Sequence, residues 1–396
     1  MTPQWLPPLD ESASEAILPF RVAVPQAALD DLQARLALTR WPDRETVSDW
    51  SQGVPLDRMR SLADYWQTEY DWRRCEAEIN RWPNFRTRID GLGIHFLHIR
   101  SPHADAMPLI LSHGWPGTIL EFLQAIGPLT DPTRHGGRAE QAFHLVIPSL
   151  PGYGFSDKPT ATGWTVERIG AAWAELMRRL GYAHYGAQGG DWGSAITRAM
   201  AVQQPKGLAG IHLNMVVCFP PEGEAFADAE AQEARAAADA HRQWGLGYST
   251  QQSTRPQTLG YALADSPVGQ AAWIYEKFQA WTDNAGEPEQ ALSRDAMLDT
   301  IMLYWLSDSA ASAARLYWES FRSAFGNAAI DLPVACSIFP AEMRRPPRRW
   351  AERVFSNIVY WNRAARGGHF AAFEQPDLFV AELRAGFAPI RRSAVS

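Results

Sequence analysis

The chain has few residues that could cross-link it, and no segment suited to anchor it in a membrane. Its three cysteines, Cys75, Cys218 and Cys336, lie far apart and match no metal-ligand spacing. Such sparse cysteine usage predicts a reducing compartment rather than a disulfide scaffold. No run approaches the roughly 18 uninterrupted apolar residues that a membrane-spanning helix needs. The first 20 residues also lack a basic region followed by an apolar stretch. We therefore expect a cytoplasmic protein with no secretory signal and no membrane anchor.

Lysine is also scarce, so arginine carries nearly all of the positive charge. The sequence contains lysine only at positions 158, 206 and 277, and its formal net charge is -7. This balance argues against nucleic acid or an anionic membrane as a main partner. We interpret the one basic cluster, Arg344-Arg345-Pro346-Pro347-Arg348-Arg349, as a solvated segment. Apolar residues make up 46% of the chain, which is ample material for a globular core.

The first 85 residues have helical patterns and little strand character. Residues 24–36 and 55–70 place apolar side chains at helical spacing after a proline. The region is also rich in tryptophan, which is more typical of packing against a neighbouring domain than of a ligand cage. These tryptophans are Trp41, Trp50, Trp66, Trp72 and Trp82.

From Arg86 onward the pattern changes to strands. Residues 86–89 and 94–100 flank Asp90-Gly91-Leu92-Gly93, which predicts a hairpin. Unbroken apolar strands follow, each succeeded by a glycine-rich or proline-rich loop and a helical stretch, at residues 109–111, 143–147 and 182–188. This alternation predicts a mostly parallel sheet covered by helices on both faces, with the site at the carboxyl ends of its strands.

The alternation stops between residues 217 and 330, where the pattern is helical throughout. Strands return at residues 332–337 and 358–361, so the helical block is predicted to be a lid inserted over the active end of the sheet. We accordingly divide the chain into an N-terminal helical region (1–85), an α/β core (86–216 and 331–396) and a helical lid (217–330).

A predicted strand, tight turn and helix surround Gly189-Gly190-Asp191-Trp192-Gly193. This context is typical of a nucleophile elbow, whose turn needs glycine for strained dihedrals and close helix approach. An aspartate is already ionised at neutral pH and needs no general base, so Asp191 is suited to attack a saturated electrophilic carbon. The pentapeptide alone is equally consistent with Asp191 as the N-cap of the following helix.

Two residues in the returning strands can complete a catalytic set. Glu342 lies in the loop after the first of these strands, and His369 lies in Arg366-Gly367-Gly368-His369-Phe370 after the last. The order aspartate, acid, histidine is that of the α/β-hydrolases. Taken alone, Glu342 is more typical of a surface carboxylate, and His369 is also consistent with a capping or core histidine. Their order and context favour catalysis.

A second glycine-rich loop, His113-Gly114-Trp115-Pro116-Gly117, follows the strand at residues 109–111. Backbone N–H groups of this loop, together with that of Trp192, can stabilise developing negative charge. We expect His113 to hold the loop by hydrogen bonds rather than to act as a second catalytic base.

These motifs resemble those of the epoxide hydrolases of the α/β-hydrolase fold, in the branch that contains the microsomal enzyme and its soluble microbial relatives. The resemblance covers almost the whole chain. It includes Thr39-Arg40-Trp41-Pro42 in the N-terminal meander and Asp265-Ser266-Pro267-Val268-Gly269 in the lid, besides the three loops above. It implies an α/β-hydrolase core with a mostly parallel sheet, an inserted all-helical lid and an N-terminal helical meander.

The resemblance also implies roles. Asp191 is expected to be the nucleophile, His369 the base and Glu342 its orienting acid, with the amides of Trp115 and Trp192 as the oxyanion hole. Two lid tyrosines, Tyr248 and Tyr317, are expected to bind and protonate the epoxide oxygen, although local spacing does not distinguish them from packing residues. The partners are a small apolar epoxide and water, and no metal or organic cofactor is needed. The loop implies a cis bond between Trp115 and Pro116.

Two other hypotheses remain open. A haloalkane dehalogenase shares the fold, the aspartate nucleophile and a tryptophan directly after it, but it needs no paired lid tyrosines. The meander and lid segments argue against this hypothesis. A ligand-binding module that has lost catalysis would have no physical reason to keep Asp191, Glu342 and His369 together. The sequence leaves open whether the chain forms a homo-oligomer.

Overall fold

One sheet of nine strands organises the protein, whose computed structural model describes residues 5, 6, 9, 15–326 and 328–393. In spatial order the sheet runs β1-β2-β3-β5-β4-β6-β7-β8-β9. The strands are β1 Leu18–Phe20, β2 Asn84–Ile89, β3 Leu92–Ile99, β4 Met107–Ser112, β5 Phe143–Pro148, β6 Tyr185–Gly189, β7 Leu208–Leu213, β8 Val334–Ile338 and β9 Ile358–Arg363.

The sheet is mostly parallel, as predicted. Strands β5, β4, β6, β7, β8 and β9 are all parallel to one another, and only β1, β2 and β3 pair antiparallel. Strand β4 is central and fully buried at Leu109, Ile110 and Leu111. An unbroken apolar run is what a strand covered on both faces requires. The carboxyl ends of the parallel strands therefore share one edge of the sheet.

The core helices are α4 Leu123–Thr130, α5 Val166–Arg179, α6 Asp191–Gln203, α13 Arg348–Ala351, α14 Ala371–Glu374 and α15 Pro376–Ser393. Helix α5 packs with α6, while α4 and α14 pack with α15, so the helices form two layers against the sheet. Between β7 and β8 the described residues form six further helices, which we refer to as the lid. They are α7 Ala229–Ala240, α8 Gly247–Thr254, α9 Pro256–Asp265, α10 Pro267–Trp281, α11 Arg294–Leu306 and α12 Ala310–Ser320.

The N-terminal helices, α1 Gln26–Ala37, α2 Leu56–Thr68 and α3 Trp72–Asn80, pack on lid helices α10 and α11. Trp66 is fully buried, and its indole N–H lies 3.2 Å from the sulfur of Met302. Asp299 of the lid accepts hydrogen bonds from Tyr70 at 2.7 Å and from Arg74 at 2.7 Å. The tryptophan-rich region thus packs against the lid, as we predicted from its tryptophans.

Three elements differ from the sequence-based expectation. Strand β7 was not expected, because Leu208–Leu213 contains a glycine and a histidine that interrupt its apolar pattern. Strand β1 was not expected either, since three residues are too few to show alternation. Helix α7 begins only at Ala229, where the side chain of Asp228 caps it, so the chain between β7 and α7 is not helical. Among the described residues, no helix is long and apolar enough to cross a membrane.

Candidate active site

Four loops meet at the carboxyl edge of the sheet. They follow β4, β6, β8 and β9, and they carry Trp115, Asp191, Glu342 and His369 respectively. Ligand sites in open α/β sheets form at this edge. The structure therefore brings together the four core positions that the sequence singled out from separate motifs.

Asp191 lies at a tight turn between β6 and α6 and has a backbone φ of 49°. A positive φ is strained for a residue with a Cβ, and such strain concentrates at functional sites. The turn also brings α6 very close to its neighbours. A Cβ on Gly193 would collide with the carbonyl oxygen of Ser112, and one on Gly114 would collide with the Asp191 carboxylate.

The Asp191 side chain does not cap α6, so the N-cap interpretation is wrong. Its Oδ1 instead accepts a hydrogen bond of 2.8 Å from the backbone N–H of Trp115. Its Oδ2 lies 3.3 Å from Nε2 of His369. One carboxylate oxygen is thus held by an amide of the β4 loop, while the other faces the imidazole.

His369 lies between two carboxylates. Its Nδ1 is 2.9 Å from Oε2 of Glu342, on the side opposite Asp191. Glu342 is completely buried, and its Oε1 accepts a hydrogen bond of 2.6 Å from the backbone N–H of Met343. The interpretation of Glu342 as a surface carboxylate is therefore wrong. The two loops are joined directly, since the N–H of Ala341 donates to the carbonyl of Gly367 at 3.1 Å.

The carboxylates set the charge of the imidazole. Burial of His369 favours its neutral form, but the negative charge and hydrogen bonds of Glu342 and Asp191 outweigh burial and raise its pKa well above the ordinary value. Because both flanking carboxylates contribute, a reaction that neutralised Asp191 would lower the pKa of His369.

The loop after β4 is fixed by His113. The Nδ1 of His113 lies 3.0 Å from the carbonyl oxygen of Gly114, and its Nε2 accepts a hydrogen bond of 3.2 Å from the N–H of Leu150. Burial lowers the pKa of this histidine to about 4, so it is neutral. Its contacts are those expected for a residue that holds the loop. The bond between Trp115 and Pro116 is cis, as the resemblance implied.

Both lid tyrosines reach the core loops. Tyr248 stacks on Trp115 with ring centroids 5.1 Å apart, and Tyr317 meets Trp192 edge-on at 4.7 Å. The two tyrosine rings are 5.8 Å apart. Burial raises the pKa of both phenols above the ordinary value, and for Tyr248 the negative charge of Asp191 is the next largest cause. The hydroxyl groups are therefore neutral hydrogen-bond donors placed near a carboxylate.

Two cavities adjoin Asp191. The larger has a volume of about 470 Å³ and is lined by Asp191, Trp192, Tyr248 and Tyr317 together with mainly apolar side chains, among them Met215, Val217, Phe219, Leu246, Phe321 and Phe325. The smaller lies against Asp191 and His369 and has a volume of about 10 Å³. That is close to the space that one water molecule requires.

Two parts of the chain match known protein families. Residues 17–122 match the family described as "Epoxide hydrolase N terminus", and residues 107–376 match the "alpha/beta hydrolase fold" family. A putative epoxide hydrolase of Stigmatella aurantiaca is 62% identical over 95% of this chain and 86% of its own length. Epoxide hydrolase 1 of Sus scrofa is 34% identical over 93% of this chain and 88% of its own.

The chain belongs to the epoxide hydrolase family. The solved structure of the Aspergillus niger epoxide hydrolase superposes with a TM-score of 0.86 at 34% identity, covering 96% of this chain and 98% of that one. The predicted fold and enzyme class are thereby confirmed.

Sequence reasoning missed one residue that holds the histidine loop of this epoxide hydrolase in place. The buried carboxylate of Glu374 accepts hydrogen bonds from the N–H groups of Gly368 and Phe370, both at 3.0 Å, and from that of Asp283 at 2.7 Å. Burial raises the pKa of Glu374 to about 7. Its position five residues after His369 was the only available signal.

A second acid was also missed. Glu121 lines the smaller cavity together with Asp191 and His369. Removal of its carboxyl group from water raises its pKa to about 8, despite the opposing effect of the imidazole. In the sequence Glu121 is an ordinary residue of a short helical turn, four positions beyond the glycine-rich loop, and nothing marks it.

Proposed function

We propose that the protein hydrolyses an apolar epoxide to a vicinal diol through a covalent ester on Asp191. One observation carries the proposal. The Asp191 carboxylate and the two buried phenols of Tyr248 and Tyr317 line the same largely apolar cavity of about 470 Å³. An epoxide bound there has a nucleophile for its ring carbon and proton donors for its oxygen.

The first half-reaction forms the ester. The amide of Trp115 holds Oδ1 of Asp191, which leaves Oδ2 to attack one ring carbon from the side opposite the breaking C–O bond. The hydroxyl groups of Tyr248 and Tyr317 bind the ring oxygen, and one of them transfers its proton as that bond breaks. Without this proton the leaving group would be an alkoxide, so the neutral state of the phenols is essential.

The second half-reaction hydrolyses the ester. Alkylation removes the negative charge of Asp191, which lowers the pKa of His369 and turns the imidazole into a base. Glu342 holds Nδ1, so that Nε2 can take a proton from a water molecule in the small cavity. Water attacks the ester carbonyl, and the amides of Trp115 and Trp192 stabilise the tetrahedral oxyanion. The acyl C–O bond then breaks, and the departing diol oxygen takes the second proton of the attacking water. The proton that His369 gave up on alkylation restores the tyrosine that protonated the epoxide oxygen, so Asp191, the phenol and protonated His369 are all regenerated.

These steps use only side chains, backbone amides and water. We therefore propose no metal and no organic cofactor. Within the described residues, all three cysteines are free thiols, which fits the cytoplasmic location that we propose.

The second candidate is a haloalkane dehalogenase built on the same aspartate. It would hold a departing halide with ring N–H groups and would not depend on the lid phenols. Membership of the epoxide hydrolase family and the position of Tyr248 and Tyr317 in the cavity favour the epoxide.

Turnover assays separate the two candidates. We expect diol formation from styrene oxide and no halide release from a 1-haloalkane of similar size. Halide release, with epoxide turnover that is unchanged in Tyr248→Phe and Tyr317→Phe variants, would establish the dehalogenase instead.

A further inference from the structure

The basic cluster in the loop after β8 divides into two kinds of arginine. Three of its four arginines form ion pairs near the surface: Arg345 with Glu233, Arg348 with Glu352 and Arg349 with Glu224, each at 2.8 Å. Arg348 and Arg349 are exposed, as the interpretation of the cluster as a solvated segment predicted, whereas Arg345 is largely covered. Arg344 behaves differently and lines the cavity that contains Asp191.

The guanidinium of Arg344 has no partner among residues 15–326 and 328–393. It forms neither a hydrogen bond nor an ion pair there, although the charge of Glu342 acts on it over a longer range. The Glu342 carboxylate is already engaged by His369 and the N–H of Met343. Burial lowers the pKa of Arg344, yet a guanidinium stays charged in proteins. A charged, partly buried group without a counter-ion is costly unless a ligand supplies one.

Arg344 also lies where two cavities meet. A second cavity of about 580 Å³ adjoins the catalytic one, and the two share Phe219, His241, Leu246, Met343 and Arg344 as lining residues. A substrate bound at Asp191 can therefore extend along apolar side chains to Arg344. Such a substrate would present its far end to Arg344.

The charge of the two cavities points to an anion. Among the described residues that line the catalytic cavity, Asp191 is the only acid, whereas Arg344 and the exposed Arg322 are both cationic. Among those that line the second cavity, the only acid is Asp239, which is paired with Arg242 at 2.7 Å. A carboxylate entering this space would therefore meet a guanidinium that has no hydrogen-bonded acid among the described residues.

We propose that Arg344 binds a carboxylate at the far end of the epoxide substrate, so that the preferred substrate is an apolar chain with an epoxide at one end and a carboxylate several carbons away. This assignment deepens the proposed epoxide hydrolysis and rests on it. A guanidinium can bind a carboxylate through two parallel hydrogen bonds, and such charged contacts are among the strongest in proteins.

The test compares ω-epoxyalkanoates with 1,2-epoxyalkanes of the same chain length, over a series of lengths. We expect the ratio of kcat/KM for the carboxylate to that for the neutral epoxide to reach roughly 10 to 100 at one chain length, mainly through KM. In Arg344→Met the ratio should fall to about one, and Arg344→Lys should retain part of it. Arg348→Met removes the same charge from the same segment and should leave the ratio unchanged.

A ratio near one at every chain length in the wild type, or a ratio that persists in Arg344→Met, overturns the proposal. So does an equal fall of both substrates with the ratio intact, because Arg344 would then act only through Glu342. If neither the epoxyalkanes nor the epoxyalkanoates are hydrolysed, the proposed function fails separately. Calorimetric binding of an alkanoate then still decides the role of Arg344, since equal affinity in wild type and Arg344→Met contradicts it and lost affinity supports it.

Discussion

The carboxyl edge of the sheet and the lid contribute different kinds of groups to one site. The sheet edge presents charged groups fixed by short hydrogen bonds, such as Asp191 to the Trp115 amide at 2.8 Å and His369 to Glu342 at 2.9 Å. The lid presents two neutral phenols, which are oriented by ring packing. In the mechanism that we propose, the edge forms and hydrolyses an ester whatever the leaving group, whereas the lid determines that the leaving group is an oxygen.

This division has a physical basis. Ionised groups must be desolvated and compensated at fixed positions, so they are held by backbone amides and by each other on the rigid sheet. A buried phenol stays neutral, and its hydroxyl group needs only to be held in one direction. Aromatic packing in a helical layer supplies both the burial and the orientation. The same edge could thus serve other electrophiles under another lid.

The largest expected effect comes from removing the nucleophile. Asp191→Asn keeps the shape of the side chain but lacks the charge that attacks the ring carbon, so we expect kcat to fall by roughly 10⁴-fold or more. The measurement is diol formation from styrene oxide under saturating conditions, with circular dichroism to verify folding. Activity within tenfold of the wild type would remove Asp191 from the mechanism.

His369→Gln should allow the ester to form but slow its hydrolysis. Alkylation needs only Asp191 and the lid, whereas hydrolysis needs the base, whose loss we expect to slow turnover by roughly 10² to 10⁴-fold. Intact-protein mass spectrometry after mixing with epoxide should show enzyme heavier by one substrate molecule. If the variant is inactive and no adduct accumulates, His369 is required for alkylation too, and the division between edge and lid is incorrect.

The tyrosine variants test the contribution of the lid to alkylation. Tyr248→Phe and Tyr317→Phe should each slow alkylation by roughly 10 to 100-fold and leave hydrolysis of a preformed ester unchanged. Pre-steady-state changes in tryptophan fluorescence measure the two phases separately. Tyr261→Phe is the matched control, because this lid tyrosine is 71% exposed and lines neither cavity at Asp191. An equal loss in the control would indicate a general disturbance of the lid.

The smallest effect concerns the pH profile. Ester hydrolysis requires neutral His369, so its rate should rise with pH through the pKa of this imidazole in the alkylated enzyme. Glu342→Gln removes a negative charge that raises that pKa, so the rise should move to lower pH while the maximal rate falls. Single-turnover ester hydrolysis across a pH series measures both. A shift to higher pH would show that Glu342 does not stabilise the imidazolium.

The sequence predicted the edge far better than the lid. The turn at Asp191 and the loop at His369 carry glycines that the local backbone requires, so each loop could be identified from its own sequence. Their order along the chain then indicated that the two belong to one catalytic set. Tyr248 and Tyr317 have no such local signature, because helical spacing does not tell which of several aromatic faces turns toward a cavity. Only the resemblance to a family selected them.

The remaining misses have the same origin. Glu374 and Arg344 act through contacts that depend on how distant loops fold over one another. The residues next to them in the sequence do not indicate these contacts. Arg344 is the clearest case, since it shares a basic cluster with arginines that face solvent. Strand β7 was missed because its glycine and histidine break an apolar run that the sheet nevertheless buries.

The covalent role of Asp191 can be tested by a single turnover in water enriched in heavy oxygen. With enzyme in excess over styrene oxide, we expect the first diol to carry no solvent oxygen. The oxygen added to the ring should come from the carboxylate, and the label should appear on Asp191 in the recovered protein. A first-turnover diol that already contains solvent oxygen would show direct attack by water and exclude the covalent ester.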